Sequence, residues 1–266
     1  MGAVTIQHYG RAKQRGRKLR MITCYDATFA RLVDQSSIDG VLVGDSLGNV
    51  LHGHPNTLGV TVDDIIYHTA MVSRAVERVH VVADMPFGSY QVSDESGRLN
   101  AVRLMKEGGA HAVKVEGGER VASLVRSLVD MGIPVMGHLG LTPQSVHAVG
   151  GYKVQGREDE AAERLLADAL ILQEAGAYSL VLEMVPAELS RRVSTALEIP
   201  TIGIGAGPDC DGQILVMYDF LGMDERFNPK FLKKYRNYAE DMRAAMDEYC
   251  ADVSEGRFPG PEHSFS

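Results

Sequence analysis

Cysteine is scarce in this 266-residue chain, and the three present, Cys24, Cys210 and Cys250, show no CxxC or CxxH spacing. An odd, unclustered set indicates neither a disulfide framework nor a zinc site and fits a reducing cytoplasm. Basic residues are also in deficit: 27 Lys and Arg against 35 Asp and Glu give a formal net charge of -8. Nucleic acid and anionic membranes both require a basic face, so neither is an expected partner, and a small molecule is. No apolar run approaches the ~18 residues of a membrane span, and the first residues lack the apolar core of a signal peptide. What is present is an ordinary globular composition, 45% hydrophobic and 23% charged, at a length that allows one large core.

Residues 1–19 carry Arg11, Lys13, Arg15, Arg17 and Lys18 with little apolar content and read as a solvated lead-in. From Arg20 onward one pattern repeats: a short apolar run, a turn rich in Gly, Asp or Pro, then an amphipathic segment. The runs are 21–26, 40–46, 80–86, 110–117, 133–140, 179–186, 200–207 and 213–219. Thr61-Val-Asp-Asp opens a helix to about Arg78, with a hydroxyl cap and first-turn carboxylates. Glu158 to Ala175 reads as another, closed by Gly176. Strand alternating with helix along the whole chain points to parallel βαβ units, and eight repeats fit a closed (β/α)8 barrel better than an open sheet. The stretch between Ile204 and Gln213 is too short for a full helix. Pro229 to about Glu255 reads as helical, followed by an irregular tail, all within a single barrel domain spanning 1–266.

Several runs end in charge. Asp45 and Ser46 close the second run, Asp84 lies in the third, Lys114 and Glu116 in the fourth, His138 in the fifth and Glu183 in the sixth. Singly, each carboxylate is as readily a cap for the following helix, Lys114 an ion-pair partner for Glu116, and His138 a hydrogen-bonded core histidine. Jointly they call for more, because burying an unpaired charge costs several kcal/mol and five consecutive strands carry one near the same end. Carboxylates without a cysteine cluster are hard oxygen ligands suited to Mg2+. Such a cation binds a 2-oxo acid and stabilises its enolate, and Glu183, flanked by Leu182 and Met184, is then available as the base.

Longer motifs narrow the reading. Val43-Gly-Asp-Ser-Leu-Gly48, Ala83-Asp-Met-Pro-Phe87, Val113-Lys-Val-Glu-Gly-Gly118, Gly137-His-Leu-Gly-Leu-Thr-Pro-Gln-Ser145, Gly150-Gly-Tyr-Lys-Val-Gln-Gly156 and Asp211-Gly-Gln-Ile-Leu-Val216 resemble the 3-methyl-2-oxobutanoate (ketopantoate) hydroxymethyltransferase family over nearly the whole chain. The resemblance implies a phosphoenolpyruvate/pyruvate-type barrel, Mg2+ dependence, methylenetetrahydrofolate as one-carbon co-substrate, a place in pantothenate synthesis and a large homo-oligomer, a decamer in family members. It implies Asp45, Asp84 and Glu116 as the metal-site carboxylates, with Asp45, Ser46, Asp84 and Lys114 as substrate contacts. Glu183 is then the proton acceptor, and His138 lines the pocket. Gly203-Ile-Gly-Ala-Gly207 reads as a close-approach or folate-side loop rather than a phosphate cup. The alternative within enzymes is a Mg2+-dependent 2-oxo acid lyase or aldolase; a non-catalytic oligomeric scaffold would be expected to lack one or more of the site carboxylates.

Overall fold

Each of the eight apolar runs carries a parallel strand, and each strand pairs with its neighbour in sequence until the last closes on the first. The strands are β1 Leu19–Thr23, β2 Gly40–Val43, β3 His80–Asp84, β4 Ala112–Glu116, β5 Val135–Gly140, β6 Ser179–Glu183, β7 Thr201–Ile204 and β8 Gly212–Leu215. The computed structural model describes residues 2–151 and 153–265, so Tyr152 of the Gly150–Gly156 motif lies outside the described residues. The (β/α)8 barrel expected from the alternation is the observed fold. Its eighth strand is shorter than the apolar run, because the ladder with β1 ends at the Ile22–Leu215 pair and Met217–Phe220 is helical.

Side chains alternate along a strand, so every second residue points into the barrel. Leu19, Met21, Leu42, Val82, Ala112, Met136, Val181, Ile202 and Ile214 form one buried cluster to which all eight strands contribute. The lead-in joins it. Ile6–Gln14 is a helix, α1, and Val4, Tyr9 and Ala12 pack into the same cluster. Tyr9 is fully buried, edge-on to His80 and Tyr178, with its hydroxyl 3.5 Å from the Met21 sulfur. The expectation of a solvated segment is therefore corrected: three apolar side chains among many cations suffice, because they seal the N-terminal end of the barrel. A side chain at Gly40 would place its Cβ 2.2 Å from the Tyr9 hydroxyl, so this strand starts with the residue that has none. The cations of the same segment tie it down: Lys13 donates to Asp211 at 2.8 Å and to the Ser194 carbonyl at 2.7 Å. Arg17 and Arg20 hold Asp39, at the opposite end of β2 from Asp45, as a structural ion pair.

The expected helices are present with trimmed ends. Thr61 caps Val62–Ser73 through a reciprocal box with Asp64, and the helix stops before Arg78 because the Asp34 carboxylate collects the N–H groups of Glu77, Arg78 and Val79 on the way into β3. Asp159–Glu174 is closed by Gly176 in the left-handed region. Gly205 to Asp211 makes the short β7–β8 connection, where Gly207 has φ +80 and a Cβ would press to 2.5 Å from that of Ala187, a close-approach glycine.

The described chain forms two compact units, one ending at Val216 and one beginning at Met217. Within the second unit the helix spans only Tyr238–Ser254. The preceding residues, expected to be helical from Pro229, instead bond back along their own unit: Tyr235 N–H donates to the Phe220 carbonyl and Lys234 to that of Asp224.

Candidate active site

Halfway along four adjacent strands the inward positions change character. They begin with Val82, Ala112, Met136 and Val181, and two residues further on they are Asp84, Lys114, His138 and Glu183. Glu116 follows after another two on β4. Period-two alternation thus carries apolar and charged residues on the same inner face, the first filling the barrel and the second lining its C-terminal mouth. Parallel registration sets Asp84 beside Lys114 and Glu116 beside His138.

The side chains form a chain of charge. Lys114 Nζ lies 3.1 Å from Asp84 Oδ1 and 3.4 Å from Glu116 Oε1. His138 Nδ1 is 3.1 Å from Lys114 Nζ and 3.2 Å from Glu116 Oε1, and its Nε2 is 3.3 Å from Glu183 Oε2. Asp84, Lys114, Glu116 and His138 are nearly inaccessible, whereas the Glu183 side chain keeps 17% exposure at the mouth. The backbone there is strained: Met184, directly after Glu183, adopts φ +48, unfavourable for a residue with a side chain. Its carbonyl accepts the N–H of Gln155, which ties the Gly150–Gly156 motif to the turn beside Glu183.

Asp45 completes the set from the end of β2. Its N–H donates to Asp84 Oδ2 at 3.1 Å, and its carboxylate accepts the Gln144 amide at 3.0 Å. Ser46 beside it shares a 2.8 Å hydrogen bond with the Tyr25 hydroxyl. All the residues singled out in the sequence therefore lie at one end of the barrel. Tyr25, Tyr90 and Gln144 escaped the sequence reading, because nothing in a tyrosine or a glutamine announces a site until the loop folds over the strand ends. For Gln144 a trace existed, since it lies within the Gly137–Ser145 motif.

The carboxylates of Asp45, Asp84 and Glu116 outnumber the one ammonium of Lys114 in a place almost closed to solvent. Burial first, then Asp84 and Glu116, push the Asp45 carboxyl well above its ordinary range. Asp84 is also raised, by burial and by Glu116, against the pull of Lys114. Glu116 moves the other way, to about 2, because Lys114 and His138 outweigh its burial. Lys114 is held as an ammonium by Asp84, Glu116 and Asp45 in spite of burial. His138 is raised to about 9: burial and Lys114 depress it, and Glu116, with a further contribution from Glu183, more than offsets them.

This donor set fits a hard divalent cation. Asp84 Oδ1 is buried and has no aligned hydrogen bond even though Lys114 is near, and Asp45 is short of positive partners. Among the described residues no three His, Cys, Asp or Glu side chains stand together as a ready cage. The Glu116 oxygens already meet Lys114, His138 and the Gln144 N–H. Two carboxylates are nevertheless what Mg2+ ordinarily takes, the remaining positions being left to water and substrate. Beside Glu116 and Gln144 opens a cavity of about 430 Å³ lined by Phe87, Tyr90, Val92, Asp94, Arg120 and Leu124 among others.

A parallel barrel with acid, base and cation gathered at its C-terminal mouth is the arrangement of a (β/α)8 enzyme acting on small molecules. Comparison with known proteins narrows this. The sequence model of ketopantoate hydroxymethyltransferase matches residues 3–261. The chain is 56% identical over 262 residues, 98% of each chain, to 3-methyl-2-oxobutanoate hydroxymethyltransferase of Syntrophotalea carbinolica. It is 54% identical over 264 residues, 99% of each chain, to that of Geobacter sulfurreducens. The chain belongs to the ketopantoate hydroxymethyltransferase family. Solved structures of similar fold include a 2,3-dimethylmalate lyase of the PEP mutase/isocitrate lyase superfamily (TM-score 0.61, 18% identity, 100% of this chain and 92% of that one). Another is phosphonopyruvate hydrolase in complex with oxalate and Mg2+ (TM-score 0.63, 12% identity, 97% and 92%).

Proposed function

We propose that this chain transfers a hydroxymethyl group to 3-methyl-2-oxobutanoate, giving 2-dehydropantoate for pantothenate synthesis, with 5,10-methylenetetrahydrofolate as donor and Mg2+ as cofactor. The observation that supports the reading is the separation of groups at the mouth: Asp45 and Asp84 adjoin at one side, and Glu183, more accessible than the rest, stands across His138 at the other. Asp45 and Asp84 are the residues to hold Mg2+, with Glu116 as an outer partner; when bound, the cation supplies a Lewis acid for the 2-oxo acid oxygens. Lys114, held between Asp84 and Glu116, presents a permanent positive charge to the developing enolate. Glu183 takes the proton from C3. His138, held by Glu116, stands beside that carboxylate and offsets its charge. The carbanionic C3 then bonds to the donor's methylene carbon, both carbon–nitrogen bonds of that carbon break, and one water supplies the hydroxyl oxygen. Tetrahydrofolate leaves with the C3 proton and the second proton of the water on its two nitrogens; the cavity of about 430 Å³ beside Glu116 and Gln144 adjoins the site. A homo-oligomer, a decamer in family members, and a cytoplasmic setting belong to the same reading.

The lyase alternative shares the enolate and differs in needing no one-carbon donor. The deciding experiment is turnover of 3-methyl-2-oxobutanoate with Mg2+, with and without methylenetetrahydrofolate. Product is expected only with the folate, and carbon–carbon cleavage of a 2-oxo or hydroxy acid without it would favour the lyase.

A further inference from the structure

Gln144 is uncharged, yet it connects more of the mouth than its chemistry suggests. It lies on the single turn Pro143–Ser145 after β5 and is 5% exposed. Its backbone N–H donates to Glu116 Oε2 at 3.1 Å. Its side-chain Nε2 donates to Asp45 Oδ2 at 3.0 Å and to the Met85 carbonyl at 2.9 Å. Its Oε1 accepts the Tyr90 hydroxyl at 2.9 Å and Gln91 Nε2 at 2.8 Å. The amide has one admissible orientation. Reversed, its NH2 would face the Gln91 NH2 and its carbonyl would face a carboxylate and another carbonyl.

Tyr90 is itself fixed, since its hydroxyl accepts the Glu116 N–H at 2.9 Å while donating to Gln144. Asp45 and Glu116 stand on strands that are not neighbours, β2 and β4, and no sheet hydrogen bond registers one against the other. Gln144 spans them, one carboxylate on its side chain and the other on its backbone.

We propose that Gln144 is a positioning residue for the cation site: by holding Asp45 Oδ2 it fixes the rotation of that carboxylate before the cation arrives. The proposal rests on the Mg2+ reading given above. Partners of this outer kind typically contribute 10- to 100-fold in metal affinity, because an unheld carboxylate must be ordered at the moment of binding.

The test is calorimetric titration of Mg2+ into the metal-free full-length protein, comparing wild type with Gln144→Met, which keeps length and volume but has no amide. Weaker binding by about 10- to 100-fold is expected, with activity recovering at Mg2+ concentrations that saturate the variant. A purely structural role would not give that recovery. Equal affinity, within twofold, in wild type and variant overturns the role of Gln144 and leaves the Mg2+ reading standing, whereas a wild-type protein that takes up no Mg2+ overturns both. Should Gln144→Met fail to fold, Tyr90→Phe decides: it removes the Tyr90 hydroxyl, one of the two donors to Oε1 and the acceptor of the Glu116 N–H, and leaves Gln91 as the remaining donor. A threefold or greater loss of Mg2+ affinity there supports the proposal, and a smaller change overturns it.

Discussion

Glu183 Oε2 approaches His138 Nε2 to 3.3 Å, but the imidazole nitrogen is not aligned for a hydrogen bond. The carboxylate is therefore near a compensating group without being committed to it, and the proposed role as base for a carbon-bound proton needs that freedom.

Glu183→Gln keeps the volume and removes the proposed proton acceptor. The variant should bind Mg2+ and the oxo acid normally and lose ~10²- to 10⁴-fold in turnover. Exchange of the C3 hydrogen with deuterated water, followed without folate, isolates this step. Exchange at the wild-type rate would move the base elsewhere, with His138 the next residue to test.

Asp84→Asn removes an oxygen that neither Lys114 nor the sheet satisfies fully. Mg2+ affinity should fall beyond the ~10- to 100-fold typical of outer partners, while circular dichroism and the thermal transition report a folded barrel. Unchanged Mg2+ dependence of the activity would remove Asp84 from the cation site.

Lys114→Ala takes the ammonium from between Asp84 and Glu116 and, on the proposed function, leaves the enolate without its fixed cation. A loss of ~10²- to 10³-fold in kcat is expected, by analogy with removal of a single oxyanion donor, together with a raised KM for the oxo acid. Steady-state kinetics at saturating Mg2+ and folate read both, and an unaltered pair of constants would contradict the assignment.

Tyr9→Ala, far from the site, empties the N-terminal end of the barrel. Loss of a fully buried aromatic typically costs about 3 to 5 kcal/mol, so the urea midpoint should fall markedly, and much less in Tyr9→Phe, which retains the ring. Equal midpoints for Tyr9→Ala and wild type would mean that α1 is not part of the folded core.

His80, buried against Tyr9, Tyr178 and His111, is depressed to about 3 by burial, with His111 adding to it. The unfolded chain takes up this proton near pH 6.5 and the folded one only near 3, so the contribution is fully present above pH 6.5 and is lost as pH falls. At ~1.4 kcal/mol per pK unit this amounts to about 2 kcal/mol by pH 5. His80→Gln should flatten the dependence of unfolding free energy on pH between 7 and 5, and parallel curves for the two proteins would show that His80 does not titrate as inferred.

The barrel and most of its site residues were legible in the sequence for one physical reason. A strand covered on both faces must be apolar, so Asp84, Lys114, Glu116, His138 and Glu183 stand out against it, and period two places each on the same face as the core residue two positions before it. The family motifs added the reaction. Tertiary structure alone decided which charges meet, since His138 reaches Glu183 only because β5 and β6 are neighbours in register, and Gln144 reaches Asp45 across 99 residues of sequence. It also decided that the basic lead-in belongs to the core. Three small or aromatic side chains among cations carry little hydrophobic signal along the chain. Their burial follows from the shape of the open barrel end that Tyr9 fills, and the chain does not create that shape until all eight strands have closed.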